Sequence, residues 1–410
     1  MDVDEGCGQM AQRAEAGTAT LADVVRVLER RYPPGTAESW DAVGLVAGDP
    51  AAPVRRVLLA VDPVADVVDE ALDWGADLVV THHPLLLRGV HSMAATTFKG
   101  ALLHRLVRGG CGLFAAHTNA DAATRGVADA LAGALGLVDV APLVAEPGPA
   151  LDKHVVLVPV AAAGAVVDAM SAAGAGALGD YARCAWTTTG EGTFEPQPGA
   201  EPAIGAVGER TVVVEARVEM VAPRARRAAV VAAVRDAHPY EEPAFDVLEL
   251  AREAGPTGTG RVGRLAEPTT LRGLAQRAAD ATPATVQGVR FAGDPDGRVE
   301  RVAVCGGSGD GFFDAVRASG ADAYVTADLR HHPVSELRER AEFEAARSGG
   351  PATPYLVDLA HYASEWPWLT LAAQDLTADL AALGTTVETR VSVRRTDPWT
   401  GRADRADAHI

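Results

Sequence analysis

One stretch of the chain occurs twice, and this repeat is the strongest constraint on the fold. RVLLAVDPVADVVDEALDWGADLVVTHHP, which begins at Arg56, aligns without a gap with RVAVCGGSGDGFFDAVRASGADAYVTADL, which begins at Arg301. Further along, each copy has a second apolar run that ends in His-x-x-x-acid, with the acids at Asp121 and Glu365. A duplicated unit predicts two similar lobes with the same strand order, and such lobes can pool the ends of their strands at one place.

Strand-like and helix-like runs alternate within the repeat. Val57–Val61 and Leu78–Thr81 are short apolar runs typical of buried strands, and Val64–Trp74 between them is amphipathic with helical periodicity. This βαβ order predicts a largely parallel sheet, because a parallel strand can follow only after a crossover connection. We therefore predict an α/β fold with two duplicated α/β lobes, residues 18–149 and 260–395.

Two breaks rich in Gly and Pro separate the copies. AEPGPALDK begins at residue 145 and REAGPTGTGRVG at residue 252, and this composition interrupts regular elements. Between the breaks the runs follow the order βαββαβ, which is the ferredoxin-like order. We predict an inserted α+β domain at residues 150–259. Residues 1–17 and the tail, residues 396–410, are expected to be flexible.

Charge and cysteine content limit the partners and the compartment. The chain has 37 Lys and Arg against 55 Asp and Glu, a formal net charge of −18, which argues against nucleic acid as a partner. The four cysteines form no CxxC pair, so neither a disulfide framework nor a thiolate zinc site is predicted. No run of about 18 apolar residues indicates a membrane span. We expect a cytoplasmic protein that does not enter a membrane.

The stretch VVTHHPLLL places two adjacent histidines, His82 and His83, between apolar runs. Neighbouring side chains of a regular strand point to opposite faces, so the two rings can converge only where the strand ends. Pro84 marks that end, and the carboxyl edge of an open α/β sheet is where such folds bind ligands. Taken alone, a His-His pair at a strand end is more often a cap or a hydrogen-bonded core pair.

Similar alternatives exist for the other polar motifs. HTNAD can be a helix N-cap, and HxxxE occurs by chance on many helices. Together, at matched ends of a duplicated unit, the residues favour a metal site, because buried imidazoles and carboxylates without a cation would be costly. The donor types suit Zn, Fe, Mn or Ni better than Mg or Ca. Two ions about 3.5 to 4 Å apart would need about this many ligands. The predicted ligands are His82, His83, Asp121, His361 and Glu365.

Five motifs resemble one known family in their order and spacing. They are SWDAVGL, VVTHHPLLL, AAHTNAD, VTADLRHH and DLAHYASE. They resemble the Nif-three-like family with a dinuclear metal centre, whose members are often labelled type 2 homologues of GTP cyclohydrolase I. The resemblance covers residues 20–395, and the segment between the breaks resembles the CutA/PII-like insert of the longer members. The chain departs from the family pattern at Ala42, Ala327 and Ala360, where Asn, Gly and Gly are usual.

The resemblance implies the same five metal ligands, with Glu365 bridging two ions. It also implies a homo-oligomer, a toroidal homohexamer with the metal sites facing an inner cavity. His332 is placed near the site by the resemblance, as an acid–base group or a substrate contact, although a solvated helix start is an equal alternative. His117 lies one helical turn before Asp121, which favours a role in orienting a ligand or moving protons over a role as ligand.

The predicted function is that of a dinuclear metal-dependent hydrolase. Bound metals would activate water, and the family label implies a small-molecule substrate, a nucleotide or another phosphorylated compound. The alternative is a non-catalytic metal- or nucleotide-sensing scaffold whose insert reports ligand state. CGGSGDG, at residues 305–311, follows a strand and opens a helix, so that its amides can hold a phosphate, but a tight turn is the favoured interpretation.

Overall fold

The computed structural model describes residues 17–403 and divides the chain into two compact units. The main unit combines the chain up to Glu146 with the chain from Pro256, and the insert is Pro147–Gly255. The flexible N-terminus predicted for residues 1–17 lies outside the described residues except for its last position. The predicted tail is described as far as residue 403; Asp397 in it is buried and residues 398–403 are exposed, so the flexible tail stays a prediction.

The N-terminal part of the main unit alternates short strands and helices. Helix α1 begins with a capping box: the Thr20 hydroxyl accepts a hydrogen bond from the amide of Asp23, and the Asp23 carboxylate accepts one from the amide of Thr20. Helix α2 ends at Gly75, whose φ of 71° is costly for residues with a Cβ. The elements are β1 (Ala19–Thr20), α1 (Leu21–Arg31), β2 (Gly44–Ala47), β3 (Pro53–Val54), β4 (Arg56–Ala60), α2 (Ala65–Trp74), β5 (Leu78–Thr81), α3 (Phe98–Arg108), β6 (Gly112–Ala115), α4 (Thr118–Ala122), α5 (Val127–Ala134) and β7 (Leu137–Pro147).

The insert is a four-stranded antiparallel sheet with two helices. Its elements are β8 (Leu151–Pro159), α6 (Ala163–Ala172), β9 (Ala185–Phe194), β10 (Thr211–Pro223), α7 (Arg227–Ala237) and β11 (Ala244–Glu249). The strand order is β11-β8-β10-β9, which is the βαββαβ arrangement that the sequence predicts. Buried residues of both helices, among them Val166 and Val230, pack with Val156 and Val218 of the sheet. This apolar core belongs to the insert alone.

The C-terminal part of the main unit repeats the alternation. Its elements are β12 (Ala254–Thr270), α8 (Leu271–Ala281), β13 (Arg290–Ala292), β14 (Arg298–Ser308), α9 (Phe313–Ser319), β15 (Ala323–Ala327), α10 (His331–Ser348), β16 (Tyr355–Leu359), α11 (His361–Glu365), α12 (Pro367–Ala382) and β17 (Glu388–Val391). Among the described residues, no helix is both long enough and apolar enough to cross a membrane.

The sequence repeat corresponds to two sets of three parallel strands. Strands β4, β5 and β6 lie side by side in a five-stranded sheet, and β14, β15 and β16 lie side by side in a six-stranded one. The pairing of Val57 with Leu78 in the first sheet recurs as Val302 with Ala323 in the second. The same residues of each copy therefore end at the same edge of their sheet.

The two sheets exchange edge strands, so each sheet contains a strand from the other half of the chain; the lobe bounds of residues 18–149 and 260–395 stay a prediction. The strand orders are β17-β4-β5-β6-β2 and β13-β16-β15-β14-β12-β7. Strand β17, from the C-terminal half, pairs in parallel with β4, and β7, from the N-terminal half, joins the second sheet. Helix α12 brings the chain back by packing Trp368 and Leu376 into the core of the first sheet. The exchange satisfies backbone groups of β4 that would otherwise lack partners.

Candidate metal centre

Four histidines follow the carboxyl ends of parallel strands in the two sheets. His82 and His83 come directly after β5, His117 lies between β6 and α4, and His361 is the first residue of α11 after β16. Because parallel strands end at a common edge, the duplicated topology collects these rings at one place. We call these four residues the histidine cluster.

The imidazoles of His82 and His83 are each held through their Nδ1 atom. The backbone carbonyl of Ala116 lies 2.9 Å from Nδ1 of His82, and Oδ1 of Asp62 lies 2.6 Å from Nδ1 of His83. A carbonyl or a carboxylate can only accept, so Nδ1 carries the proton in both rings. In the neutral form, each ring then presents a lone pair at Nε2, which is the form that binds metals.

The other two rings of the cluster are held in the same way. Nδ1 of His361 lies 2.7 Å from Oδ2 of Asp328, and Nδ1 of His117 lies 2.8 Å from Oδ1 of Asp41. The Asp41 carboxylate is inaccessible to solvent and also accepts hydrogen bonds from the amide and the hydroxyl of Thr118. Carboxylates behind histidines are a recurrent feature of metal sites, where they fix the tautomer and the orientation of the ring.

The free Nε2 atoms converge on the carboxylate of Glu365. Oε1 of Glu365 lies 2.9 Å from Nε2 of His361 and 3.4 Å from Nε2 of His82, and Oε2 lies 3.2 Å from Nε2 of His83. The Nε2 atoms of His83 and His361 are 3.2 Å apart. Rings that both donate through Nδ1 would bring two lone pairs together at this distance when neutral, which a shared cation would stabilise.

Asp121 lies on α4 at the position that matches Glu365 on α11. Its Oδ1 lies 3.8 Å from Nε2 of His82, and its side chain keeps a quarter of its surface exposed towards the site. Burial raises the pKa of Asp121 to about 6, because the charged carboxylate loses hydration there. A bound cation would favour the ionised form again.

The carboxylates give the cluster a preference for positive charge. Burial disfavours the imidazolium form, but Glu365 and Asp62 outweigh it and raise the pKa of His83 to about 10. For His361, Glu365 and Asp328 outweigh burial and raise the pKa to about 11. Burial likewise opposes the charge of Glu365, yet the surrounding histidines hold its pKa well below the usual range. A site with these preferences favours a cation as its occupant.

The donor atoms of the cluster fit a metal ion. Among the described residues, Nε2 of His82 and Oε2 of Glu365 are buried without a hydrogen-bond partner, and such atoms are costly unless something binds them. Ligand atoms within 4.8 Å of one another form two groups, one of His82, His83 and His117 and one of His83, His361 and Glu365. Both groups include His83, whose one free lone pair at Nε2 can serve a single ion, and imidazole with carboxylate suits transition metals.

The ring of His117 lies close to the rings of His82 and His83, a position that the sequence did not predict. Its ring lies 5.2 Å from that of His82 and 5.4 Å from that of His83, measured between ring centroids. Because Asp41 holds Nδ1, the opposite nitrogen is free to bind a metal or to exchange a proton with a ligand. Asp121 belongs to neither of the two groups, and its assignment as a ligand stays a prediction.

His332 lies elsewhere on the surface. It is exposed in the first turn of α10, and its ring contacts that of His331, with 5.2 Å between centroids. Within the part of the chain that the structure describes, no contact links it to the histidine cluster. The acid–base or substrate-contact role of His332 therefore stays a prediction without support from this geometry.

A cavity of about 470 Å³ opens onto the cluster. His117, Asp121, His361 and Glu365 form part of its wall together with Trp40, whose ring centroid lies 5.9 Å from that of His117. This cavity gives a small molecule access to the candidate ligands.

The CGGSGDG segment, residues 305–311, spans the irregular end of β14, which runs to Ser308, and the turn that follows it. Gly307 has a φ of 67°, and a Cβ there would lie 2.6 Å from Oε1 of Glu365, so the glycine lets the backbone approach the central carboxylate. The amide of Gly307 already donates to Oγ of Ser364 at 2.8 Å. The choice between a tight turn and a phosphate site therefore stays a prediction from the sequence.

Three carboxylates that orient the histidines were not predicted from the sequence. Asp41, Asp62 and Asp328 each hold an Nδ1 atom. A signal for two of them exists, because Asp62 comes two residues after β4 and Asp328 comes directly after β15. The strand-end rule that selected the histidines would have selected these acids as well.

Comparisons with known proteins agree with this fold. The family described as Duf34/NIF3 (NGG1p interacting factor 3) matches residues 19–398. A protein of Mycobacterium leprae named GTP cyclohydrolase 1 type 2 homolog is 48% identical over 93% of this chain and 95% of its own length. A protein of the same name from Mycobacterium tuberculosis is 50% identical over 92% and 96%. The crystal structure of a Bacillus cereus protein related to NIF3 superposes with a TM-score of 0.70 and 31% identity, over 94% of this chain and 99% of the other. The chain belongs to the Duf34/NIF3 (NGG1p interacting factor 3) family.

Proposed function

We propose that the protein is a dinuclear metal-dependent hydrolase of a small molecule. The observation that carries the proposal is the convergence of imidazole nitrogens on the Glu365 carboxylate, with each opposite nitrogen held by an oxygen. The proposed ligands are the five predicted residues, with Glu365 placed between two divalent ions. Zn or Fe suits these donors best, and Mn or Ni is also compatible.

Bound metals would supply Lewis acidity and an activated water at the cavity floor. The chain would supply proton transfer through His117, whose Nδ1 donates to the buried Asp41 and whose other nitrogen faces the cluster. A histidine backed by a carboxylate is suited to take up and return a proton. The name of the mycobacterial relatives suggests a cyclohydrolase-type reaction on a nucleotide or another phosphorylated compound.

The test combines metal content with turnover. Protein purified without chelators and loaded with Zn²⁺ or Fe²⁺ should hold about two ions per chain by elemental analysis. The loaded protein is then screened for hydrolysis of nucleotides, nucleosides and other small phosphorylated and unphosphorylated compounds. Glu365→Gln should abolish turnover, whereas Glu339→Gln, at an exposed position of α10, should not. Absence of metal after loading, or equal turnover by Glu365→Gln, would refute the proposal.

A second candidate is a scaffold that senses a metal or a nucleotide without turnover. It is favoured by the insert, which forms a compact unit with its own core and can therefore act as a separate reporting module. A screen that finds stable metal and ligand binding without any hydrolysis would favour this function over the first.

A further inference from the structure

The wall of the site cavity is acidic. Its charged lining residues are Glu38, Asp121, Glu146 and Glu365, and no Lys or Arg lines it in the described part of the chain. Glu38 is exposed and Glu146 is half-buried. Oε2 of Glu146 accepts a hydrogen bond from Thr257 at 3.0 Å, which orients this carboxylate but leaves its charge in place.

Further negative charge lies directly behind the ligands. Asp41, Asp62 and Asp328 hold the histidines through hydrogen bonds to their Nδ1 atoms. Together with the four carboxylates of the cavity wall they make seven acidic side chains around the site. Two divalent ions would bring only four positive charges to this acidic surrounding.

Such a site is poorly suited to a polyphosphate. Phosphate groups in proteins are usually bound by Arg, Lys or free amides at helix N-termini. The nearest backbone candidate is the turn at Gly307, and its amide is already bonded to Ser364. The helix that follows, α9, has only seven residues and is preceded by Asp310. Several added negative charges would therefore meet repulsion from the carboxylates of the wall.

The same wall suits an aromatic ring that carries N–H groups. Trp40 and Phe312 both line the cavity, and Trp40 keeps 57% of its surface exposed. Flat heterocycles stack on indole rings, and stacking stabilises any base, because every base has a flat aromatic face. Glu38 and Glu146 can accept hydrogen bonds from amino or amide groups of the ring, because carboxylates act only as acceptors when ionised.

We propose that the cavity binds an unphosphorylated heterocycle bearing amino or amide groups, of the nucleoside type, and discriminates against nucleoside triphosphates. The proposal rests on the proposed function, because the same metal site would act on the bound ring, but it replaces the phosphorylated substrate suggested by the name of the mycobacterial relatives with an unphosphorylated one. Trp40 is the stacking residue, and Glu38 and Glu146 are the residues that determine selectivity by charge.

Binding to the metal-loaded full chain tests the proposal independently of turnover. Guanosine, adenosine and cytidine are compared with their triphosphates, which are supplied as Mg²⁺ complexes to prevent metal extraction. Isothermal calorimetry and tryptophan fluorescence are read at about 0.15 M salt. At least one nucleoside should bind with a Kd about tenfold or more below that of its triphosphate. A triphosphate that binds more tightly than its nucleoside, or binding by none of the nucleosides, would overturn the proposal.

Matched variants identify the residues responsible. Trp40→Ala should weaken nucleoside binding about tenfold, whereas Trp186→Ala, on exposed strand β9 of the insert, should not change it. Combining Glu38→Gln with Glu146→Gln should reduce the preference for nucleoside over triphosphate, and Glu339→Gln should leave it unchanged. An unchanged preference in the double variant would contradict the assigned role of the two carboxylates.

Elemental analysis of the same samples separates the two proposals. A protein that holds its metal ions but binds triphosphates better than nucleosides overturns the substrate class and leaves the metal-dependent hydrolase standing. A protein that holds no metal after loading overturns the proposed function, and the substrate class with it.

Discussion

Replacing Asp62 by Asn should weaken metal binding more than replacing Asp328 by Asn. Asp62 holds His83 through a hydrogen bond of 2.6 Å, and His83 belongs to both groups of candidate ligands. Asn keeps the size of the side chain and can still accept from His83, so the variant removes charge with little change in shape. The loss of charge makes the imidazole a weaker donor to the ion that it binds.

The expected magnitude follows from exposure and bond length. Removing such a partner typically costs about 10- to 100-fold in metal affinity, or about 1.4 to 2.7 kcal/mol. The Asp62 side chain is 24% exposed and Asp328 is 55% exposed, with a bond of 2.7 Å to His361. Water can replace the more exposed carboxylate, and His361 lies in only one group. We therefore expect about 100-fold weakening for Asp62→Asn and about 10-fold for Asp328→Asn.

Competition with a chromophoric zinc chelator measures these affinities. Asp236→Asn, at an exposed position of α7 in the insert, serves as the control and should bind zinc like the unaltered protein. Circular dichroism of each variant checks that the fold is retained. An equal or larger loss for Asp328→Asn than for Asp62→Asn would refute the reasoning from exposure, and no loss in either would refute the metal centre.

Three further outcomes are expected. Glu365→Ala should lose both ions and Asp121→Ala mainly one by elemental analysis, and equal losses would indicate a different bridge. The pKa values are about 10 for His83 and about 11 for His361, so both rings hold protons below those values. Ion binding must then displace protons, and metal affinity should rise with pH up to about 10. Calorimetry at neutral pH in two buffers of different ionisation enthalpy should detect this proton release, and its absence would contradict the assignment. Deleting Pro147–Gly255 and closing the gap with a short Gly/Ser linker should leave the metal content intact, since the proposed ligands all lie in the main unit. A folded but metal-free product would show that the insert helps to form the site.

The sequence by itself determined the features that depend on local pattern. The boundaries of β5 were predicted as Leu78–Thr81 and agree with the structure, because an apolar run ending before Pro84 specifies a buried strand. The matched spacing of the two copies identified the acids at Asp121 and Glu365. Duplication preserves the position of a residue relative to its strand end, so an alignment of the chain with itself locates both acids at corresponding sheet edges.

Only the tertiary structure decided which groups complete the sheets and the site. The pairing of β17 with β4 and the contact between His117 and Asp41 join residues whose local sequences give no sign of each other. The same holds for Trp40, which reaches the cavity beside His117 from the segment before β2. Edge-strand pairing and side-chain convergence depend on packing between distant segments, and local periodicity carries no information about that packing.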